Sequence, residues 1–155
     1  MFMRNTGKES EELVRQALKN VNLSIFDWQR MYDATSARNT FMAQVGDFQW
    51  FLPNHHGVIE VKSTKHAYRL SKNAFSTNQR AKLYRRTEAG STVSVLVHHY
   101  EAGYWHTVPF NAVYETFNIQ GQASIDLSNY EKHLTADSAL LAVLKEVLSQ
   151  NSVNN

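Results

Sequence analysis

Residues 45–62, VGDFQWFLPNHHGVIEVK, decide the fold of this chain. The runs 45–52 and 58–62 are rich in aromatic and β-branched residues, as strands are, and they flank the segment PNHHG at 53–57. Proline, asparagine and glycine are residues that turns prefer. The segment therefore predicts a β-hairpin.

The second strand of this hairpin has one polar and one apolar face. Side chains alternate across a strand, so Glu60 and Lys62 share one face. Ile59 and Val61 point to the other face. We expect the apolar face to pack on the core and the polar pair to face an open side.

The position of the turn sets which residues of the two strands lie opposite each other. We expect a turn centred between Asn54 and His55. That register places Asp47 opposite Lys62 on the polar face and makes Glu60 a diagonal neighbour of Asp47, about 7 Å away at Cα. Such a separation suits one divalent cation between the two carboxylates. A shift of one residue would move Asp47 to the opposite face, so the geometry depends on the register.

Two carboxylates beside an ammonium are the groups that metal-assisted phosphodiester hydrolysis requires. Oxygen ligands select Mg²⁺ or Mn²⁺ over zinc, and Lys62 can hold the attacking water or help to deprotonate it. A third carboxylate would complete the site. The first helix offers Glu9, Glu11 and Glu12, and spacing alone does not choose among them. The alternative is a solvated strand face, because Glu-x-Lys is common on exposed strands.

Four short motifs follow one another between about Asn5 and Phe110. They are Asn5-Thr6-Gly7 with Glu11, Val45-Gly46-Asp47, Val58-Ile59-Glu60-Val61-Lys62, and Phe75 with Gln79. In this combination the chain resembles the PD-(D/E)XK nuclease superfamily and, within it, the RecU family of Holliday-junction resolvases. The motifs are far more specific together than apart.

The resemblance implies roles for individual residues. Asp47 and Glu60 would bind the metal, and Val61 would add a ligand through its backbone carbonyl. Glu11 would contribute from the first helix, which favours it over its two acidic neighbours. Lys62 would act on the nucleophilic water.

Two further features are compared with the family. Gln79 would begin a helix that borders the active site, and would orient the site or contact the scissile strand. Family members carry a long stalk between the first two strands, whereas only residues 30–44 are available here, so we expect a shortened stalk. The C-terminal helix has no counterpart in the family pattern.

Basic residues are concentrated in one block of the chain. Residues 62–86 contain eight lysines and arginines and no acidic residue, whereas the rest of the chain has 8 basic and 14 acidic residues. DNA is the natural partner of such a block, and contacts to its phosphates fix position without reading sequence. The candidate DNA-binding residues are Lys65, Arg69, Lys72, Arg80, Lys82 and Arg85.

The remaining elements frame a single domain over residues 1–150. Periodicity predicts helices at 9–20, 77–88, 110–117 and 136–149, and strands at 25–30, 92–98 and 104–108. The expected N-caps are Thr6 or Ser10, Ser76 or Thr77, and Thr135. We expect an α/β (α+β) fold, a restriction-endonuclease-like central mixed β-sheet flanked by helices. Residues 151–155 are expected to form a disordered tail.

Composition excludes several other classes of protein. The chain has no cysteine, which rules out disulfide scaffolds, thiolate zinc sites and cysteine nucleophiles. No segment approaches 18 consecutive apolar residues, so we expect an intracellular, cytoplasmic protein with no membrane partner. With the family resemblance, we expect it to be bacterial or virus-encoded. The histidine pairs at 55–56, in the expected turn, and 98–99, at a strand end, are not expected to bind metal. Adjacent strand residues point to opposite faces.

As a whole, the sequence predicts a Mg²⁺-dependent, structure-specific DNA endonuclease that resolves four-way junctions by paired symmetric nicks, with Mn²⁺ as a substitute. Two symmetric incisions require two active sites, so the expected assembly is a homodimer. One alternative is a nicking or restriction-like nuclease of the same superfamily that acts on duplex or other branched DNA. The other is a non-catalytic DNA-binding protein, in which two carboxylates facing phosphate would have little use.

Overall fold

The computed structural model describes residues 4–31 and 45–153. In chain order, the elements are α1 (Thr6–Lys19), β1 (Asp27–Arg30), β2 (Phe48–Leu52), β3 (His55–Thr64), β4 (Arg69–Ser71), α2 (Thr77–Glu88), β5 (Thr92–His99), β6 (Tyr104–Pro109), α3 (Phe110–Tyr114), β7 (Ser124–Asp126), β8 (Lys132–His133) and α4 (Ala136–Val153). A 3₁₀ turn, Lys72–Ala74, precedes α2, and a π-helical turn, Glu115–Ile119, follows α3. The predicted helix at 110–117 is therefore split into two parts.

A six-stranded mixed sheet forms the centre of the molecule, in the order β1-β2-β3-β5-β6-β8. Strands β3 and β5 are parallel, and the other neighbouring pairs are antiparallel. Strands β4 and β7 form a separate two-stranded sheet. The predicted fold class, a central mixed sheet flanked by helices, is confirmed.

Two hydrophobic cores lie on opposite faces of the central sheet. Helices α1 and α4 pack on one face, where their apolar side chains meet Ile59, Val61 and Leu96. Helices α2 and α3 pack on the other face, against Val58 and Val95. Burial of apolar surface on both faces, at about 25 cal/mol per Å², is the main source of stability in such a layered fold.

The polar face of β3 is covered, which corrects the expectation that it faces an open side. Glu60 is only 4% exposed, and the side chain of Lys62 is 16% exposed. The cause is the parallel pairing of β3 with β5. Parallel neighbours need a crossover connection, and this one contains α2, which packs on the face that holds Val58 and Glu60.

The β2–β3 hairpin has a register two residues away from the predicted one. Phe48 pairs with Ile59 and Leu52 pairs with His55, so the turn is formed by residues 53 and 54. Asn54 adopts the left-handed backbone conformation, with φ of 62°, which asparagine tolerates better than most residues. Because the shift is by two, the side chains keep their predicted faces, and Asp47 comes to lie next to Glu60.

The first pair of adjacent histidines belongs to a strand and not to the turn. His55 and His56 begin β3, and Nδ1 of His56 hydrogen-bonds Oγ of Ser91 at 2.7 Å. They were expected in the turn because the turn was expected to be longer. A two-residue turn leaves both of them in the β-ladder.

The helix ends follow local capping interactions. Asn5 caps α1, where its side chain accepts a hydrogen bond from Lys8 N at 3.0 Å, in place of the expected Thr6 or Ser10. Ser76 caps α2 and Thr135 caps α4, as predicted. Helix α4 continues to Val153, and so includes the first three residues of the tail predicted to be disordered, because no glycine or proline ends it.

Two sequence predictions concern residues that this structure does not describe. Of the predicted shortened stalk, 30–44, residues 32–44 lie outside the described residues. Residues 154–155 of the predicted tail lie outside them as well. Across the described ranges, none of the helices is both long enough and apolar enough to cross a membrane.

Candidate active site

The candidate active site lies where the start of β2, the middle of β3 and the first turn of α2 meet. Asp47 immediately precedes β2, and its backbone is fixed on both sides. Its N–H donates to Ile59 O at 2.9 Å and its carbonyl accepts from Met31 N at 2.8 Å. Its carboxylate Oδ2 accepts a hydrogen bond from Val61 N at 2.7 Å. The carboxylate is thus held against the main chain of β3.

Glu60, Lys62 and Gln79 form a closed triangle of polar contacts. Nζ of Lys62 lies 3.1 Å from Oε1 of Glu60 and donates to Oε1 of Gln79 at 3.2 Å. The Gln79 side-chain amide donates to the same Glu60 oxygen at 2.9 Å. Gln79 is the third helical residue after the Ser76 cap, a position whose side chain often bonds back to the cap. Here that side chain bonds β3 instead.

The ammonium of Lys62 is also placed against an aromatic ring. Its Nζ lies 4.6 Å from the centroid of Phe75, which is buried in the α2/α3 core just before α2 begins. Cation–π attraction of this kind contributes about 1 kcal/mol or more when water is excluded. The Lys62 side chain therefore has little freedom to move, and its ammonium stays next to Glu60.

Burial raises the pKa of both carboxyl groups in the site. For Asp47, loss of hydration is the main cause, the nearby charge of Glu60 adds to it, and the hydrogen bond from Val61 opposes it. For Glu60, loss of hydration again dominates, and Lys62 opposes it. Within the described part of the chain, Oε2 of Glu60 is buried without a hydrogen-bond partner. An ionised pair here needs a cation.

Glu11 is the acidic residue of α1 that acts on this pair. Its negative charge raises the pKa of both Asp47 and Glu60, so it lies on the site's side of the helix. Its carboxylate Oε2 accepts from Arg30 at 3.1 Å. The two alternatives left by spacing make other ion pairs, Glu9 with Arg4 at 2.6 Å and Glu12 with Arg15 at 2.5 Å.

The donor atoms of the site suit a hard divalent cation. In the ranges 4–31 and 45–153, no group of three or more histidine, aspartate or glutamate side chains is arranged to hold a metal ion. The two carboxylates Asp47 and Glu60 nevertheless provide oxygen donors, and one of them, Oε2 of Glu60, is buried without a partner. Oxygen ligands of this type are those that Mg²⁺ and Mn²⁺ prefer.

The predicted DNA-binding residues fall in different environments. Lys65 and Arg85 are exposed, and Lys72 and Lys82 are half-buried. Arg69 is exposed and is held by Ser124 Oγ at 3.0 Å, with Asp126 at 3.9 Å. These five remain candidates for phosphate contacts.

Arg80 does not agree with the prediction that it contacts DNA. It is 7% exposed, and its guanidinium donates to Phe75 O at 3.2 Å. Helical periodicity explains this burial, because Arg80 and Leu83 are three residues apart on the face of α2 that packs on the sheet. Arg80 instead ties α2 to the segment that carries Phe75.

Sequence reasoning missed two contacts of the site and one structural feature beside it. The spacing gave no signal for Arg30 as the partner of Glu11, and it pointed to Phe75 only as a motif residue, not as the ring under Lys62. The feature beside the site is a pair of fully buried histidines, His99 and His106, whose Nε2 and Nδ1 atoms are 2.7 Å apart. Alternation along β5 and β6 shows which face these histidines share, but it does not show that the face is buried.

Comparisons with known proteins find similarity in structure but none in sequence. No protein-family model matches the sequence, and a search of the curated proteins finds no match. Among solved structures, the chain is similar to Hjc of Archaeoglobus fulgidus, described as a Holliday junction resolvase from an archaeal hyperthermophile. The two share 17% sequence identity with a TM-score of 0.49, over 81% of this chain and 88% of that chain. The narrower resemblance to the RecU family stays a prediction from the motifs.

Proposed function

We propose that this protein is a divalent-metal-dependent endonuclease that hydrolyses DNA phosphodiester bonds and acts on four-way junctions. The observation that carries this proposal is the carboxylate pair of half-buried Asp47 and buried Glu60, with Lys62 and Gln79 bonded to Glu60. Two neighbouring acids that have lost most of their hydration and whose charges repel each other are costly to ionise unless a cation joins them. The basic block that begins at Lys62 supplies the complementary attraction for a polyanion.

In this proposal, Asp47 and Glu60 hold Mg²⁺, or Mn²⁺ in its place, with the backbone carbonyl of Val61 and the carboxylate of Glu11 as further ligands. The ion supplies positive charge that stabilises the charge developing on the phosphate and on the leaving oxygen. Glu11 would exchange its contact with Arg30 for this role. The two side chains are 3.1 Å apart and both are partly exposed. Ion pairs at such surface positions are weak, so this one can exchange.

Lys62 and Gln79 orient the attacking water. An ammonium has three N–H donors, and the contacts with Glu60 and Gln79 use two of them. The third would hold the attacking water molecule. Because Gln79 bridges Lys62 and Glu60, it keeps both side chains in one geometry and so acts as a positioning residue.

The five candidate phosphate contacts on the basic block extend the site outward. They give affinity without sequence readout, which suits recognition of a branched shape. Resolution of a junction by paired symmetric nicks needs two active sites, so the proposal includes a homodimer with two-fold symmetry.

The test compares cleavage of a labelled four-way junction with cleavage of linear duplex of the same sequence, in Mg²⁺ and in EDTA. Wild type should cut the junction at symmetric positions in Mg²⁺ and make no cut in EDTA. Asp47→Asn and Lys62→Ala should reduce the rate by at least about 100-fold. Glu11→Gln should also reduce it, whereas its neighbour Glu12→Gln is the matched control and should not.

Each other result contradicts a defined part of the proposal. Equal cutting of linear duplex would exclude junction specificity and support a nicking or restriction-like nuclease. Binding of the junction without any cutting would exclude catalysis. A cut that persists in EDTA would exclude the metal, and loss of activity in Glu12→Gln but not in Glu11→Gln would exclude the assignment of Glu11.

A further inference from the structure

The segment that links β3 to β4, residues 65–68, begins three residues after Lys62 of the candidate active site. Residues 65–68 lie between the last residue of β3, Thr64, and the first of β4, Arg69. We call this segment loop 65–68. All four of its residues are exposed. Exposed loops of this kind are usually mobile.

Loop 65–68 is nevertheless fixed by its main chain. Three successive carbonyl oxygens each accept a hydrogen bond from a different part of the fold. His66 O accepts from Nδ1 of His99 at 2.5 Å, and Tyr68 O accepts from Leu127 N at 2.7 Å. Between them, Ala67 O accepts from the hydroxyl of Tyr104. The backbone of the loop is therefore held while its side chains stay in solvent.

The anchor at His66 is set by a buried pair of histidines. A carbonyl oxygen only accepts, so Nδ1 of His99 must carry the proton and its Nε2 must be the acceptor. Nδ1 of His106 then donates to that Nε2 at 2.7 Å. Burial lowers the pKa of both rings, to about 4 for His106, which keeps both neutral near pH 7. The anchor is thus stable at ordinary pH.

The side chains presented here are the phenol ring of Tyr68 and two cations, Lys65 in the loop and Arg69 at the start of β4. Tyr68 is 50% exposed, the largest exposed apolar side chain of the loop. Lys65 precedes it and Arg69 follows it, both exposed. A small surface cavity of about 110 Å³ is lined by residues 66–69, beside the ring. An aromatic face between cations is the combination that binds single-stranded nucleic acid, by stacking on a base and contact with the flanking phosphates.

We propose that loop 65–68 is a stacking platform, fixed by its backbone, for a base whose stacking is interrupted at a branch point, with Tyr68 as the stacking surface and Lys65 and Arg69 on the adjacent phosphates. The proposal rests on the proposed function, because it places a base that has lost a stacking neighbour at the branch point near the site where the strand is cut. Because the backbone of the loop is fixed before binding, little backbone entropy is lost when a base stacks. A continuous duplex, in which each internal base is stacked on both faces, offers no free base face to this platform.

The experiment uses the fluorescent base 2-aminopurine, placed at the branch point of a four-way junction or inside a linear duplex of the same sequence. Binding to both is measured in EDTA, so that no strand is cut. Wild type should quench the junction fluorescence by stacking. Tyr68→Ala should remove that quenching and lower junction affinity between about 5-fold and 150-fold, with duplex affinity changed less than about 2-fold. Tyr68→Phe should behave as wild type.

Two more variants separate stacking from general damage. Tyr104→Phe removes the hydroxyl that anchors Ala67 O and keeps the ring, so it should lower junction affinity several-fold and leave duplex affinity unchanged. Phe51→Ala is the matched control, because Phe51 is 37% exposed at the hairpin end of β2, and it should bind both DNAs as wild type does.

The outcomes distinguish this inference from the proposed function. If wild type binds and cuts the junction but Tyr68→Ala quenches and binds as wild type does, the stacking platform is wrong and the nuclease stands. An equal loss of affinity for junction and duplex in Tyr68→Ala also overturns it. If wild type binds neither DNA, both the proposed function and this inference fail.

Discussion

Asp47→Asn should make the metal-free protein more stable near pH 8, although the same substitution should abolish cleavage. Burial and the neighbouring Glu60 raise the pKa of Asp47 from 3.8 to about 8. Asparagine has no charge to lose or gain, and its Oδ1 can still accept the hydrogen bond that Val61 N now donates at 2.7 Å. The substitution therefore removes the repulsion and keeps the contact.

The size of the effect follows from that pKa. Each unit of pKa corresponds to about 1.4 kcal/mol. A rise of the Asp47 pKa from 3.8 to about 8 therefore limits the destabilisation of the folded wild type by ionised Asp47 to about 6 kcal/mol. Solvent reaches part of the Asp47 side chain and Lys62 opposes the repulsion, so we expect about 2–3 kcal/mol of unfolding free energy.

The pH dependence has a definite sign. Because folding raises the pKa of Asp47, its protonated form favours the folded state. This contribution to the unfolding free energy is fully present below about pH 4 and is lost as the pH rises through about 8. Wild type in EDTA should lose stability relative to Asp47→Asn between about pH 5 and about pH 8. Mg²⁺ at about 100 times its Kd should then restore about 2.7 kcal/mol to wild type and nothing to the variant.

The assay is urea denaturation at about pH 5 and at about pH 8, in EDTA and in Mg²⁺. Unfolding is monitored by the fluorescence of the buried Trp50 and the other tryptophans. Asp27→Asn, an exposed aspartate on β1, is the matched control and should change neither value. The reasoning is refuted if Asp47→Asn is less stable than wild type near pH 8 in EDTA. It is equally refuted if the difference between the two proteins is the same at both pH values.

Three further predictions concern the site, the hairpin and the basic block. Gln79→Ala should lower the single-turnover cleavage rate by about 10- to 100-fold with little change in unfolding free energy. Asn78→Ala, at an exposed position, should change neither quantity, and equal cleavage rates in the two variants would exclude positioning by Gln79. Gly57→Ala should lower the unfolding free energy by about 1–3 kcal/mol in urea denaturation, because the added Cβ would lie 2.2 Å from the buried ring of Trp50. Gly7→Ala is the control and should not destabilise, because its Cβ would lie 3.6 Å from its nearest neighbour, and equal stabilities of the two variants would contradict this packing. Junction affinity should fall by up to about 500-fold between about 50 and 200 mM salt if all five candidate cations contact phosphate, and an affinity independent of salt would exclude them.

Local sequence patterns were sufficient for most of the fold. Alternation and turn residues identified the β2–β3 hairpin, and capping residues located the start of α2 and of α4. The same alternation assigned Glu60 and Lys62 to one face of β3. These features depend on neighbours within a few residues, which is the range over which a sequence pattern carries information.

Long-range pairing was not predictable in the same way. The contact between Glu11 and Arg30, the ring of Phe75 under Lys62, and the burial of Arg80 all depend on how separate elements pack. The register of the hairpin was wrong by two residues because the pattern allowed more than one turn length. The error had little effect on the site, since an even shift preserves the face of every side chain.

The burial of the candidate site follows from the topology of the sheet. The parallel pairing of β3 with β5 requires a crossover, and α2 within that crossover covers the face of β3 that holds Glu60. The same helix carries Gln79 to Glu60 and Lys62. One connection therefore removes water from the carboxylates, raises their pKa and adds the side chain that orients them. A strand with the same Glu-x-Lys sequence in an open antiparallel hairpin would have the residues of the site without the environment that makes them need a cation.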